Sequence, residues 1–167
     1  MKYLDQSGFS LMLSLCYTWF RRGSGRQFEI PTRWGSKGRM NLIGTLSLFG
    51  EHEHLEIREL DGSCTQTQVI AYLETLAERC QPEQLTVVVL DNAPFHKAAQ
   101  LNERRAVWED QGLYLRYLPA YSPQLNLIES VWRKLKGFLM PRRCYDTLEQ
   151  LQDAVRLALK ALNAVTI

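Results

Sequence analysis

A mixed β-sheet flanked by α-helices is the fold this sequence predicts, and three observations predict it. Strand-like runs crowd the first sixty residues. Residues 85–90, Leu-Thr-Val-Val-Val-Leu, form a nearly unbroken apolar and β-branched run, as expected of a strand covered on both faces. Beyond residue 67, helical periodicities alternate with such runs, an order that places helices on both faces of an α/β sheet. At 167 residues the chain is most simply one domain, long enough to bury a sizeable core.

The first strand covers Lys2–Leu4 and can extend to Phe9. Further runs stand near Tyr17–Phe20, at Met40–Phe49 and at His54–Leu60, separated by Gly23-Ser24-Gly25 and Gly35-Ser36-Lys37-Gly38. Thr67–Cys80 reads as a helix because Val69, Ile70, Leu73, Leu76 and Ala77 recur on one side. After the Leu85–Leu90 strand, Lys97 to Gln111 reads as a helix with Leu101 and Trp108 on a common side. Leu113–Leu118 alternates as a strand. Two helices follow, Leu127–Phe138 and Thr147–Asn163, the last with Leu148, Leu151, Val155, Leu159 and Leu162 at helical spacing. Repeats and low-complexity tracts are absent from the sequence.

Hydrophobic residues make up 46% and charged residues 23%, ordinary for a soluble globular protein. Apolar stretches are too short to cross a bilayer, and Asp5 arrives too early for a secretory signal. A cytoplasmic protein without a membrane partner is therefore expected. The net charge of +2 is mild, but its distribution is uneven. Arg21, Arg22, Arg26, Arg33, Lys37 and Arg39 gather in the first quarter, and Arg133, Lys134, Lys136, Arg142 and Arg143 gather after Glu129. Local clusters of this kind suit phosphate binding, although solvated charged faces look the same in sequence. The cysteines at 16, 64, 80 and 144 lack Cys-x-x-Cys spacing, which argues against structural zinc and for reduced thiols. His52 and His54 read as an exposed hairpin turn rather than a metal site.

Three acids carry the chemistry. Asp5 follows the apolar pair Tyr3-Leu4, Asp91 ends the Leu85–Leu90 run, and Glu129 opens a helix after a turn-rich stretch. A carboxylate at the end of a buried strand is costly to desolvate unless a cation compensates it. Two such carboxylates and a third from a helix make an all-oxygen set suited to a hard divalent ion. Each acid also has a purely structural reading. Asp5 precedes a Ser7-Gly8 turn signal, Asp91 with Asn92 can cap the following turn, and Asn126-x-x-Glu129 matches a capping box. Arg133 one turn after Glu129 fits an i,i+4 ion pair, and Lys136 lies on the same face, where it could reach a phosphate. Trp132, Leu135 and Leu139 read as core.

Tyr3-Leu4-Asp5-Gln6-Ser7-Gly8-Phe9, Val89-Leu90-Asp91-Asn92-Ala93-Pro94-Phe95-His96 and Leu118 through Glu129 together resemble the catalytic core of DDE transposases. The resemblance is to the mariner-like branch that includes the bacterial insertion-sequence six-thirty family. Asp91 and Glu129 lie 38 positions apart, similar to that family's spacing. The resemblance implies a ribonuclease H-like fold, with Asp5, Asp91 and Glu129 as catalytic residues and ligands of Mg²⁺ or Mn²⁺, two ions in all. It implies DNA cleavage and strand transfer at element ends and target, and a homo-oligomer or a full-length transposase as partner. Asn92, His96, Arg133, Lys136, Arg142 and Arg143 are the DNA-binding candidates. Tyr121, Ser122, Pro123 and Asn126 match the third motif and shape its loop.

Gln6 stands where many relatives carry Glu, and Leu127 where many carry Pro. Only four residues precede Asp5, so a helix-turn-helix recognition module ahead of the core is expected to be absent. An isolated catalytic domain follows: a second-frame product, a fragment or a remnant. The competing reading is a catalytically silent remnant acting as a DNA-binding, assembly or inhibitory module. An unrelated ribonuclease H-like nuclease is disfavoured by the Pro119–Glu129 motif, and a two-carboxylate glycosidase leaves the third acid unexplained.

Overall fold

The computed structural model describes residues 1–12, 38–48, 54–92, 99–120, 122–140 and 144–167. These residues form strands β1 (Lys2–Ser10), β2 (Arg39–Ser47), β3 (His54–Leu60), β4 (Thr86–Leu90), β5 (Leu113–Tyr117) and β6 (Val165–Thr166). Helices α1 (Gln66–Ala77), α2 (Ala99–Asp110), α3 (Ile128–Lys134) and α4 (Leu148–Ala161) cover them. The described strands make one six-stranded sheet in the order β5-β4-β1-β2-β3-β6. β1, β2 and β3 run as an antiparallel meander, whereas β4 joins β1, and β5 joins β4, in parallel. The mixed α/β sheet is thus the predicted one.

Alternation along the strands sorts the core into two layers. On β1, Leu4 points with Ile43, Val88 and Leu90 toward α1 and α2, which supply Val69, Leu73, Leu76, Leu101 and Trp108. Tyr3 and Phe9 point the other way, with Leu42, Leu46, Leu55 and Ile57, toward Ile128 and Trp132 of α3 and Leu151, Val155 and Leu159 of α4. A residue's parity on β1 therefore decides which helices it meets.

Helix starts follow their caps. Thr65 and Gln68 form a capping box ahead of α1, and the Thr147 side chain accepts from the Gln150 amide ahead of α4. Leu85 is 65% exposed, so the fourth strand begins one residue later than its apolar run. The helix expected through Phe138 ends its regular turns at Lys134. Leu135–Leu139 widen into a π-turn, closed by the Met140 amide donating to the Leu135 carbonyl at 3.0 Å. β6 has no signal in the sequence; it is two exposed residues added in parallel to β3. The Tyr17–Phe20 run, the basic residues Arg21, Arg22, Arg26, Arg33 and Lys37, Cys16 and His52 lie outside the described residues. Cys64, Cys80 and Cys144 form no disulfide and are half-buried, as expected.

One buried polar network ties β1, β2, β3 and α1 together. Glu56 on β3, 7% exposed, pairs with Lys2 and with Arg79 at 3.3 Å, and accepts from Thr45 Oγ1 at 3.4 Å. The buried Tyr72 hydroxyl donates to the Glu56 carbonyl at 3.1 Å and lies 3.1 Å from Thr45 Oγ1. Burial, its largest influence, raises the Tyr72 pKa, so the phenol stays protonated as a donor. Glu56→Ala would strand the Lys2 ammonium and is expected to cost about 3 kcal/mol in urea unfolding. Tyr72→Phe would cost about 1 kcal/mol in the same assay. Equal, small losses for both would mean the network carries no more than its packing.

Candidate active site

Backbone register brings two of the three acids level. The parallel pairing of β1 with β4 aligns Lys2 with Val88 and Tyr3 with Val89. Two residues further along, the same offset sets Asp5 beside Asp91. Level residues on parallel strands share a face, and the odd positions of β1 face α3 and α4. Both acids therefore stand on the α3 side, Asp5 within β1 just past its paired residues with β4 and Asp91 directly after the end of β4. Open α/β sheets bind their ligands in the crevice beyond the carboxyl ends of their strands, where Asp91 stands.

The pairing stops there. One residue beyond Tyr3, the Leu4 carbonyl accepts a hydrogen bond from Asn126 Nδ2 at 3.0 Å. Asn126 is only 2% exposed, and its amide anchors the residue before the α3 cap to the strand that carries Asp5. This corrects the capping-box expectation. The N-cap of α3 is Leu127, which makes no side-chain cap, while the Glu129 amide bonds the Asn126 backbone carbonyl at 3.0 Å. The Asn126 side chain is spent on tertiary attachment instead of on its own helix.

A glycine lets that helix dock closely. Gly44 on β2 is the cross-strand partner of Asp5. A Cβ added there would lie 3.2 Å from Trp132 Cη2 and 3.0 Å from the Glu56 carbonyl oxygen. The missing side chain is the space that the α3 indole fills. Asn92 does similar work beyond Asp91: its Nδ2 donates to the Leu118 carbonyl at 2.6 Å, tying the end of β4 to the end of β5.

Asp5, Asp91 and Glu129 are each half-buried. Among the described residues, no three His, Cys, Asp or Glu side chains gather closely enough to hold a metal ion. Glu129 stands on the same side of the sheet, in the first turn of α3. No ion pair joins Glu129 to Arg133 among the described residues, and Arg133 is exposed. Lys136, in the π-turn, holds its ammonium 5.0 Å from the centre of the Phe9 ring, a cation–π contact. Desolvation lowers its pKa and the Arg39 charge lowers it further, while the Asp5 carboxylate opposes them. The helix after Glu129 thus delivers one cation into the field of Asp5. His96, Tyr121, Arg142 and Arg143 lie outside the described residues.

Sequence reasoning missed Gly44 and the attaching role of Asn126. The Asn-x-x-Glu spacing did mark Asn126, but with the wrong partner; Gly44 carries no signal without the register. Asn126→Asp would set a carboxylate against the Leu4 carbonyl. It is expected to cost about 2 kcal/mol in chemical denaturation, while Asn126→Gln costs less. An Asn126→Asp protein as stable as the parent would show that the attachment is not structural.

The sequence matches the family of DDE superfamily endonucleases over residues 1–152. No curated protein matches it. Among solved structures, the Mos1 mariner paired-end complex with Mn is similar at 15% identity and a TM-score of 0.61, covering 97% of this chain and 51% of that one. The Mos1 strand transfer complex is similar at 16% identity and a TM-score of 0.60, covering 91% and 44%. The simian T-cell lymphotropic virus intasome in complex with PP2A regulatory subunit B56 gamma is similar at 15% identity and a TM-score of 0.52, covering 75% and 43%. The chain spans about half the length of these structures or less. At such identities the likeness is one of fold, and it is ribonuclease H-like.

Proposed function

The chain belongs to the DDE superfamily endonucleases, and from that premise we propose that it is a transposase catalytic domain acting on the DNA of an insertion sequence. The reaction is divalent-metal-dependent strand cleavage followed by strand transfer. Asp5, Asp91 and Glu129 are the catalytic residues and metal ligands. The observation that carries this reading is the register of β1 and β4, which sets Asp5 level with Asp91 on the face that α3 covers. The DNA complexes of the Mos1 structures support DNA as the partner. The Mn in one of them supports a divalent ion.

The donor chemistry fits that ion in kind. Two aspartates on one face are hard oxygen ligands, and Asn126 Oδ1, buried without a hydrogen-bond partner, adds an acceptor beside Leu4. Two bound ions supply activation of an attacking oxygen and stabilisation of the leaving one. The chain's own residues do the rest. β1 and β4 hold Asp5 and Asp91 at fixed height, and the Asn126 attachment keeps the start of α3, and so Glu129, against β1. Asn92 braces the segment after Asp91. Lys136 and Arg133, on the Glu129 face of the helix, neutralise phosphates of the bound strand, with Asn92, His96, Arg142 and Arg143 extending that surface. A second copy of the chain or a full-length transposase is the protein partner this reading proposes. No helix among the described residues is long and apolar enough to cross a membrane.

Supercoiled plasmid incubated with the purified protein and Mn²⁺ is expected to be nicked. Asp5→Asn, Asp91→Asn and Glu129→Gln should each lower that rate by a factor of about 100 or more, as loss of a metal-aligned charge does. A folded protein that binds plasmid without nicking it would favour the silent DNA-binding or assembly module. Undiminished nicking by Asp91→Asn would remove that residue from the site.

A further inference from the structure

A second feature lies at the far end of β1, on the sheet face opposite Asp5. Gln6, Ser7, Gly8, Arg39, Asn41, Ser63 and Cys64 line an open polar cleft of about 220 Å³. Its one charged wall is Arg39, the first residue of β2. The Arg39 guanidinium lies flat against Gly8, in the space that any Cβ at position 8 would fill. No carboxylate among the described residues pairs with it. Asn41 Nδ2 donates to the Gly62 carbonyl at 2.6 Å, which holds the loop carrying Ser63 and Cys64 as the opposite wall. The Cys64 thiol adds no negative charge, since burial and then the Asp5 carboxylate push its pKa up. Among the described residues that line the cleft, Arg39 is the one charged side chain, and hydroxyl and amide groups surround it.

That arrangement suits a tetrahedral oxyanion. A guanidinium presents a planar fork of donors to phosphate oxygens. The Arg39 charge reaches as far as Lys136, whose pKa it lowers. We propose that this cleft is a phosphate subsite in which Arg39, lying across Gly8, receives one backbone phosphate of the DNA strand. The proposal rests on the DNA-cleaving reading for its ligand, but its chemistry concerns phosphate alone.

Binding of a fluorescent DNA duplex, followed by anisotropy in EDTA across a salt series, tests it without requiring cleavage. Arg39→Ala should reduce the slope of log affinity against log salt by about 0.9, the share of one phosphate, and Arg39→Lys should restore most of it. Gly8→Ala keeps the charge but shifts the guanidinium from its place over the strand, so it should lower the slope by less than Arg39→Ala does. An unchanged slope in Arg39→Ala would overturn the proposal while leaving DNA binding intact. A second readout is alkylation of Cys64, scored by mass spectrometry against Cys80 in the same sample. The duplex should slow Cys64 and not Cys80. Equal protection by inorganic phosphate at the same phosphate concentration would overturn the assignment to a DNA backbone. A parent protein with no affinity for any duplex would instead sink the DNA reading itself, and absence of Cys64 protection by phosphate in that sample would sink the subsite with it. Circular dichroism of each variant separates these outcomes from misfolding, and the Arg39 variants decide the matter should Gly8→Ala fail to fold.

Discussion

Everything at the candidate site depends on where the pairing of β1 with β4 begins and stops. Two aligned pairs, Lys2 with Val88 and Tyr3 with Val89, fix the offset between two segments that are 86 residues apart. A slip of one residue would turn Asp5 to the α1 side and leave Asp91 facing α3 alone, because side chains alternate across a strand. Leu4, Val88 and Leu90 forbid that slip. All three are fully buried against α1 and α2, and moving any of them to the other face would expose it or displace the α3 layer. Each such leucine or valine contributes about 1.5–3 kcal/mol by burial, so the register is held by the core and not by the acids it positions.

The stop matters as much as the start. Where β4 ends at Leu90, the Leu118 amide takes the Leu90 carbonyl at 2.9 Å, and Asn126 takes the Leu4 carbonyl. Each of the two neighbouring strands thus hands the acceptor just past their last pair to a different element, and the strands part. A buried carbonyl without a donor costs about 1–3 kcal/mol, so Asn126 is both a solution to that problem and the hinge point of α3. Its second consequence is positional: a helix whose start is bonded to β1, and whose Trp132 fills the space over Gly44, has little freedom to slide along the sheet.

Most of the fold was legible because its elements are periodic. Leu113–Tyr117, His54–Leu60 and α4 were marked by alternation or by helical spacing, and the structure agrees within a residue or two. The acids were legible through the runs they end. Features set by tertiary contact were not. Asn126 carries a sequence signal for capping that its partner across 122 residues overrides, since a donor for a buried strand carbonyl is worth more than a cap on a solvent-reachable turn. The π-turn at Leu135–Leu139 has no pattern of its own, and the two residues of β6 are too few to show one. Arg39 could be counted as one basic residue among several, but only the tertiary structure shows its guanidinium lying across Gly8.

Glu129 shows how a residue can be legible in sequence while the contacts that position it are not. Its backbone is attached twice, through Asn126 to Leu4 and through Trp132 over Gly44, but no ion pair with Arg133 holds its carboxylate. In the proposed site, fixing the Glu129 rotamer would cost up to about 2 kcal/mol, which coordination of a divalent ion would offset. The positive end of α3 already favours an ionised side chain at this position. Attachment of the helix start by the backbone, with Asp5 positioned by the sheet, is what the proposed role of Glu129 as third ligand would require.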